Sequence, residues 1–146
     1  MRLFRGLTYI VGNYVCENTY LINPRKPVHT NINIHYVADN WFHNKFGVRA
    51  RSETIFCTAD LNQALKFGNV HEIKLTNSSE NRFIYSLEVI DFIEIEEEID
   101  NYDDKEEITE WLESKHYRME KSVKDIPSEF KGEIMLYCKE YEIKEL

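Results

Sequence analysis

The spacing of hydrophobic positions predicts one long amphipathic helix in the first third of the chain. Apolar residues recur every three or four positions from Ile34 to Phe46, which is typical of a helix with one buried face. Thr30 is suitably placed to cap the amino end, and Gly47 lies where a glycine commonly ends a helix. We therefore predict a helix between Thr30 and Gly47.

Shorter apolar runs predict strands. They lie at residues 7–11, 55–58, 71–76, 82–96, 133–138 and 141–143. The run at 82–96 is partly apolar on both alternating faces, which favours a central strand. Asp60 is placed to cap a short helix that ends at Gly68. Residues 23–30 contain two prolines, which disfavour regular structure, so this segment is predicted to be a loop.

The remaining segments complete the prediction of fold class. Residues 94–110 are strongly acidic and predict a solvated loop that runs into a helix beginning near Asp103 or Asp104. A short helix is predicted around Met119 and Val123. Because strands and helices segregate rather than alternate regularly, we predict a single α+β domain over residues 1–146.

Composition and charge restrict the functional classes. The formal net charge of −8 argues against nucleic-acid binding as the main activity, although it leaves a local basic patch open. Three widely separated cysteines, Cys16, Cys57 and Cys138, favour reduced thiols in a cytoplasmic protein and suggest no metal site. The chain has no apolar run approaching the roughly 18 residues of a membrane helix, so neither membrane insertion nor secretion is predicted.

Three short motifs contain candidate catalytic residues. They are Leu3-Phe4-Arg5-Gly6, then Ile55-Phe56-Cys57-Thr58-Ala59-Asp60 followed by Ala64, Phe67 and Gly68, and finally Gly132-Glu133-Ile134-Met135-Leu136. In this order, an arginine precedes a hydroxyl at a strand end, and a glutamate opens a late apolar strand. The chain resembles the ADP-ribosyltransferase superfamily in these motifs, particularly the branch that uses arginine, serine and glutamate.

The resemblance implies a split sheet of mixed or antiparallel strands with flanking helices, and NAD as the substrate. Breaking the nicotinamide–ribose bond develops positive charge on the sugar, which a fixed carboxylate stabilises. By position, Glu133 would be that carboxylate, and Thr58 would orient it or the ribose. Phe67 would offer an aromatic face to the nicotinamide. The structural alternatives are a solvent-exposed strand-edge glutamate and a turn threonine.

Several arginines are candidates for binding the NAD phosphates, since a guanidinium matches phosphate geometry. Arg5 holds the position that the resemblance implies, with a surface arginine as the alternative. Arg49 and Arg51 precede the second motif, and Arg51 is preferred because it is nearer the strand. Arg25 and His29 lie in the proline-containing loop, and rigid loops often carry binding groups. His35 is expected on the helix surface.

Two departures from the family pattern affect the expected acceptor of ADP-ribose. Cys57 and Ala59 replace the serines that usually surround the threonine, and Lys131 stands where members that modify arginine have a second acid. An arginine side chain is therefore not the expected acceptor; the alternatives are another side chain of a protein, which is preferred, a nucleobase, or water. Such small catalytic domains occur in bacterial toxins and phage effectors. A role of that kind is expected here by analogy.

Two other functions remain open. The first is a non-enzymatic interaction protein on the same scaffold, whose acidic residues 94–110 bind a basic partner protein. The second is an RNA 2′-phosphotransferase, which also uses NAD. The negative net charge and the lack of an evident basic cluster argue against it.

Overall fold

The computed structural model describes residues 1–8, 12–76 and 78–146. Within these residues, eight strands form one antiparallel sheet with four α-helices around it, which confirms the α+β prediction. The strands are β1 (Leu3–Leu7), β2 (Tyr14–Glu17), β3 (Ile55–Thr58), β4 (Asn69–Leu75), β5 (Arg82–Tyr85), β6 (Arg118–Glu120), β7 (Glu133–Tyr137) and β8 (Glu140–Glu145). The helices are α1 (Ile32–Phe46), α2 (Leu61–Leu65), α3 (Glu94–Glu98) and α4 (Lys105–Ser114).

All eight strands belong to one sheet. Its strand order is β2-β8-β4-β1-β3-β7-β5-β6, with β1 and β3 paired at its middle. That pairing has a single registered pair, Phe4 with Thr58, whereas β3 and β7 share four pairs. One hydrophobic core lies around Phe42 of α1 and Trp111 of α4, and a second lies around Phe83 and Leu136. The pairing of β1 with β3 is therefore the least extensive in the described sheet, and the second core lies across it.

The long helix forms as predicted, with a different cap. The side chain of Asn31, not Thr30, accepts hydrogen bonds from the amides of Asn33 and Ile34 at the amino end of α1. Gly47 ends the helix in the left-handed conformation, with φ of 76°. The strands at 55–58 and 133–138 and the short helix capped by Asp60 are also present.

The predicted strand at 82–96 is wrong beyond Tyr85. The Ser86 hydroxyl donates to the carbonyl of Lys115 and accepts the Glu88 amide, and this turn ends β5. The chain then forms α3, where Ile95 packs in the core. β5 lies between β7 and the edge strand β6.

Two further predictions are corrected, one around Met119 and one at the first strand. Met119 lies in β6 rather than in a helix, and only Val123–Asp125 forms a 3-10 turn. The first strand is Leu3–Leu7, and residues 9–11 of the strand predicted at 7–11 lie outside the described residues. None of the helices in the described part of the chain has the length and hydrophobicity to cross a bilayer.

Candidate functional site

A cleft of about 530 Å³ opens where β1, β3 and β7 meet. Most of the residues singled out in the sequence for catalysis or NAD binding line it, including Arg5, Arg25, Arg51, Thr58, Phe67 and Glu133. Its volume lies in the range of small-molecule sites, which runs from roughly 300 to 1,000 Å³. The structure thus brings together residues that are up to 128 positions apart, the separation of Arg5 and Glu133.

Strand register places the candidate glutamate beside the candidate threonine. Thr58 of β3 is the registered partner of Phe4 in β1 and of Glu133 in β7. The Thr58 hydroxyl nevertheless donates to the carbonyl of Lys131 (3.2 Å) and accepts the amide of Asp60 (3.0 Å). Thr58 is therefore a cleft residue whose hydroxyl stabilises the turn after β3.

Glycines in the first and third motifs permit close backbone approaches beside the cleft. A Cβ at Gly6 would lie 2.4 Å from the carbonyl oxygen of Ala64, so β1 and the end of α2 are in direct contact. This packing sets the position of Phe67, which is 50% exposed at the cleft. A Cβ at Gly132 would lie 2.6 Å from the carbonyl oxygen of Val89. The next amide, that of Glu133, donates to the carbonyl of Ile90 at 2.9 Å.

Glu133 forms an ion pair with Arg51 rather than pointing into solvent. The distance between Arg51 Nη1 and Glu133 Oε1 is 2.7 Å, and their side chains are 6% and 19% exposed. The Arg51 guanidinium lies between the rings of Phe56 and Phe92, at 4.2 and 4.1 Å from their centroids. The Asp39 carboxylate accepts the Arg51 amide at 3.0 Å, so α1 fixes the turn that carries this arginine.

Arg5 and Arg25 also line the cleft and both contact Phe56. Arg5 Nη1 donates to the Phe56 carbonyl at 3.0 Å, and Arg25 Nη2 donates to the Thr54 carbonyl at 2.7 Å. The Arg25 guanidinium also stacks on the Phe56 ring, 3.7 Å from its centroid. Burial, followed by the charge of Arg5, lowers the pKa of Arg25 to about 10, which leaves it protonated at neutral pH.

The arginine cluster has unused donors and an excess of positive charge. Among the described residues, the buried side-chain nitrogens without a hydrogen-bond partner are the Nε atoms of Arg5, Arg25 and Arg51. The described lining of the cleft carries four cations, including Lys26, and two carboxylates, Asp91 and Glu133. Because these Nε atoms are buried, they are not themselves exposed to a ligand, and it is the excess of cations over carboxylates in the lining that favours an anionic ligand.

Two polar residues at the site were not recognised in the sequence. His35 was expected on the helix surface, but it is 3% exposed and lines the cleft. Burial lowers the pKa of His35, so its ring is neutral at neutral pH. Asp39, one turn later, is also buried and accepts a hydrogen bond from the Ser52 hydroxyl at 2.6 Å. In the sequence, His35 and Asp39 form a polar pair at i and i+4 beside the apolar stripe of α1. This spacing was the signal that could have indicated their burial.

The remaining candidates for binding, His29 and Arg49, differ in whether they line the cleft. His29 lines the cleft with its neighbours in the proline-containing loop. Arg49 lies outside it, because its 41% exposed side chain donates to Asn40 Oδ1. Cys57 and Cys138 are buried free thiols, and burial raises the pKa of each to about 12, so neither supplies a thiolate nucleophile.

The acidic segment 94–110 makes many contacts within the chain. Glu94 Oε2 accepts the amides of Ile90 and Asp91, and Glu98 accepts the indole N–H of Trp111. The Asp104 side chain caps α4. These carboxylates stabilise the fold of their own chain, while Glu97, Asp100, Asp103, Glu106 and Glu110 of the same segment are exposed.

Comparison of the chain with protein-family models, curated proteins and solved structures found no match.

Proposed function

We propose that this protein cleaves NAD at the nicotinamide–ribose bond and transfers ADP-ribose to a macromolecular acceptor or to water. The observation that carries the proposal is the meeting of Glu133 with Arg5, Arg25 and Arg51 in one cleft. The proposal includes membership of the ADP-ribosyltransferase superfamily, which the three motifs support.

The reaction requires little covalent chemistry from the protein. The bond between ribose C1′ and the nicotinamide nitrogen breaks, and its electron pair leaves with nicotinamide, which becomes neutral. The cationic ribose is stabilised by the Glu133 carboxylate and is captured by a nucleophile, which forms a new bond to C1′ and releases its proton. A fixed carboxylate contributes to such a reaction mainly through electrostatic preorganisation.

The cationic side of the cleft suits the rest of the substrate. NAD carries two phosphate charges, and the described lining has two more cations than carboxylates. The guanidinium groups can donate to phosphate oxygens with fork geometry. Phe67 supplies a half-exposed ring that can stack on a base or on nicotinamide.

Nicotinamide release from NAD tests the proposal, and Glu133→Gln is the informative variant because it keeps the shape and removes the charge. We expect kcat to fall by about 10²–10³-fold, the usual effect of losing one charge-stabilising group. Glu142→Gln is the matched control, since Glu142 is an exposed strand residue on β8. Wild-type activity in Glu133→Gln, or no release with any acceptor or with water alone, would overturn the proposal.

The arginine cluster also favours the second candidate, RNA 2′-phosphotransfer. The sequence argued against this reaction because no basic cluster was evident, but three arginines line one cleft in the folded chain. RNA ending in a 2′-phosphate should be incubated with the protein and NAD. Loss of that phosphate would establish the second candidate, whereas nicotinamide release with the phosphate retained would favour the first.

A further inference from the structure

We infer that Arg51 is the positioning residue for Glu133, and that Arg5 and Arg25 are left to bind phosphate. The inference rests on the proposed function. It assigns to a buried arginine the orienting task that the resemblance implies for Thr58. It also separates three arginines that the sequence offers as equivalent candidates.

Arg51 is held through its guanidinium and its backbone amide, although its Nε has no hydrogen-bond partner among the described residues. Its guanidinium lies between two aromatic rings, and its Nη1 contacts both Glu133 Oε1 and Met135 Sδ, the latter at 3.4 Å. Its backbone amide is held by Asp39. The residue is only 5% exposed, so little of its surface is accessible to a ligand.

Thr58 does not orient the carboxylate in this arrangement. A hydroxyl has one proton to donate, and that of Thr58 is directed to the Lys131 carbonyl. Among the described residues, Arg51 is therefore the group whose side chain donates to the side chain of Glu133. This contact leaves the second carboxylate oxygen, Oε2, for the ribose hydroxyls.

Arg5 and Arg25 have the opposite character. Both are half-buried, and each commits one terminal nitrogen to a backbone carbonyl. Both line the cleft and are more exposed than Arg51. These two cations match the two charges of a pyrophosphate, while the charge of Arg51 is offset by Glu133.

Steady-state kinetics of nicotinamide release would separate the two tasks. In Arg51→Gln we expect kcat to fall by about 10²-fold with KM for NAD nearly unchanged, because a misplaced reacting group costs rate rather than binding. Arg51→Lys should recover part of kcat because it keeps the charge. Arg5→Gln should instead raise KM. Arg49→Gln is the matched control, since Arg49 belongs to the same turn and lies outside the cleft.

A double variant tests whether Arg51 acts through Glu133. If it does, Arg51→Gln added to Glu133→Gln should cause little further loss of kcat. Equal losses in both backgrounds, or a raised KM with kcat retained in Arg51→Gln, would overturn the inference while leaving the proposed function intact. If Arg51→Gln does not fold, the folded Arg51→Lys variant decides by the same split between kcat and KM. Absence of nicotinamide release by the wild-type protein would instead overturn the proposed function, and the inference with it.

Discussion

Arg51 and Glu133 are opposite charges that leave water together when the chain folds. Removing two charges from water is unfavourable, and a pair compensates only when its geometry is good. Here the 2.7 Å contact and the two flanking rings provide that geometry. The pair is therefore important for stability as well as for the proposed chemistry.

We predict that Arg51→Ala destabilises the protein by about 3–5 kcal/mol, the usual effect of removing one partner of a buried pair. It leaves the Glu133 carboxylate uncompensated and opens a cavity between Phe56 and Phe92. Urea unfolding of wild type and variant gives the free energies of unfolding. Arg49→Ala, on the exposed part of the same turn, should change stability by less than about 1 kcal/mol. Equal effects of the two variants would contradict the buried pairing.

His35 should make the protein sensitive to mild acid. Its pKa is lowered mainly by burial, and Asp39 opposes this effect. Since the folded-state pKa lies below the unfolded value of about 6.5, the unfolded state takes up the proton first. The stability present above that pH is therefore lost as the pH falls through the folded-state pKa.

Unfolding free energies between pH 8 and 5 would measure this effect. Wild-type stability should decrease on the acid side of about pH 6.5, and His35→Gln should flatten the decrease. His43→Gln, at an exposed position of the same helix, is the control and should leave the slope unchanged. An unchanged slope in His35→Gln would show that His35 does not cause the acid sensitivity.

At the scale of elements, the contact between β1 and α2 depends on Gly6. A methyl group there would meet the Ala64 carbonyl and the backbone of Phe67. We predict that Gly6→Ala costs about 1–3 kcal/mol, as overpacking usually does, and shifts Phe67 at the cleft. Gly12→Ala is the control, because a methyl group at Gly12 would meet nothing within 4 Å. Thermal unfolding of both variants would measure the difference, and equal melting temperatures would contradict the proposed crowding at Gly6.

The elements also show how far local sequence predicts this fold. Helix α1 and strands β3 and β7 were predictable because hydrophobic spacing and the helix-ending Gly47 are local features, although the amino-terminal cap is Asn31 and not the predicted Thr30. The segment after Tyr85 was not, since its apolar residues suit a strand or a core helix equally, and the contact of Ser86 with Lys115 decides between them. The Arg51–Glu133 pair joins residues 82 positions apart, a turn residue and a strand residue that only the folded chain brings together.

At the scale of the molecule, charge is distributed unevenly. The chain has a net charge of −8, yet its cleft lining has an excess of two cations. Overall negative charge disfavours general binding to nucleic acid, while the local cluster can still attract a small phosphate-bearing ligand. The sequence composition predicted the overall negative charge. It could not predict the local cationic cluster, because Arg5, Arg25 and Arg51 come together only in the folded chain.

This distribution predicts salt-dependent binding of ADP-ribose, which retains both phosphates of NAD. We expect affinity to fall several-fold between low and high potassium chloride, since ions screen the attraction between the cluster and the phosphates. Titration calorimetry over a series of salt concentrations would measure this dependence. Arg5→Gln and Arg25→Gln should weaken binding and flatten the salt dependence, because each removes one cation that the phosphates would contact. Arg49→Gln should leave both quantities unchanged. A salt-independent affinity, or an undiminished slope without Arg5 and Arg25, would place the phosphate contacts elsewhere on the molecule.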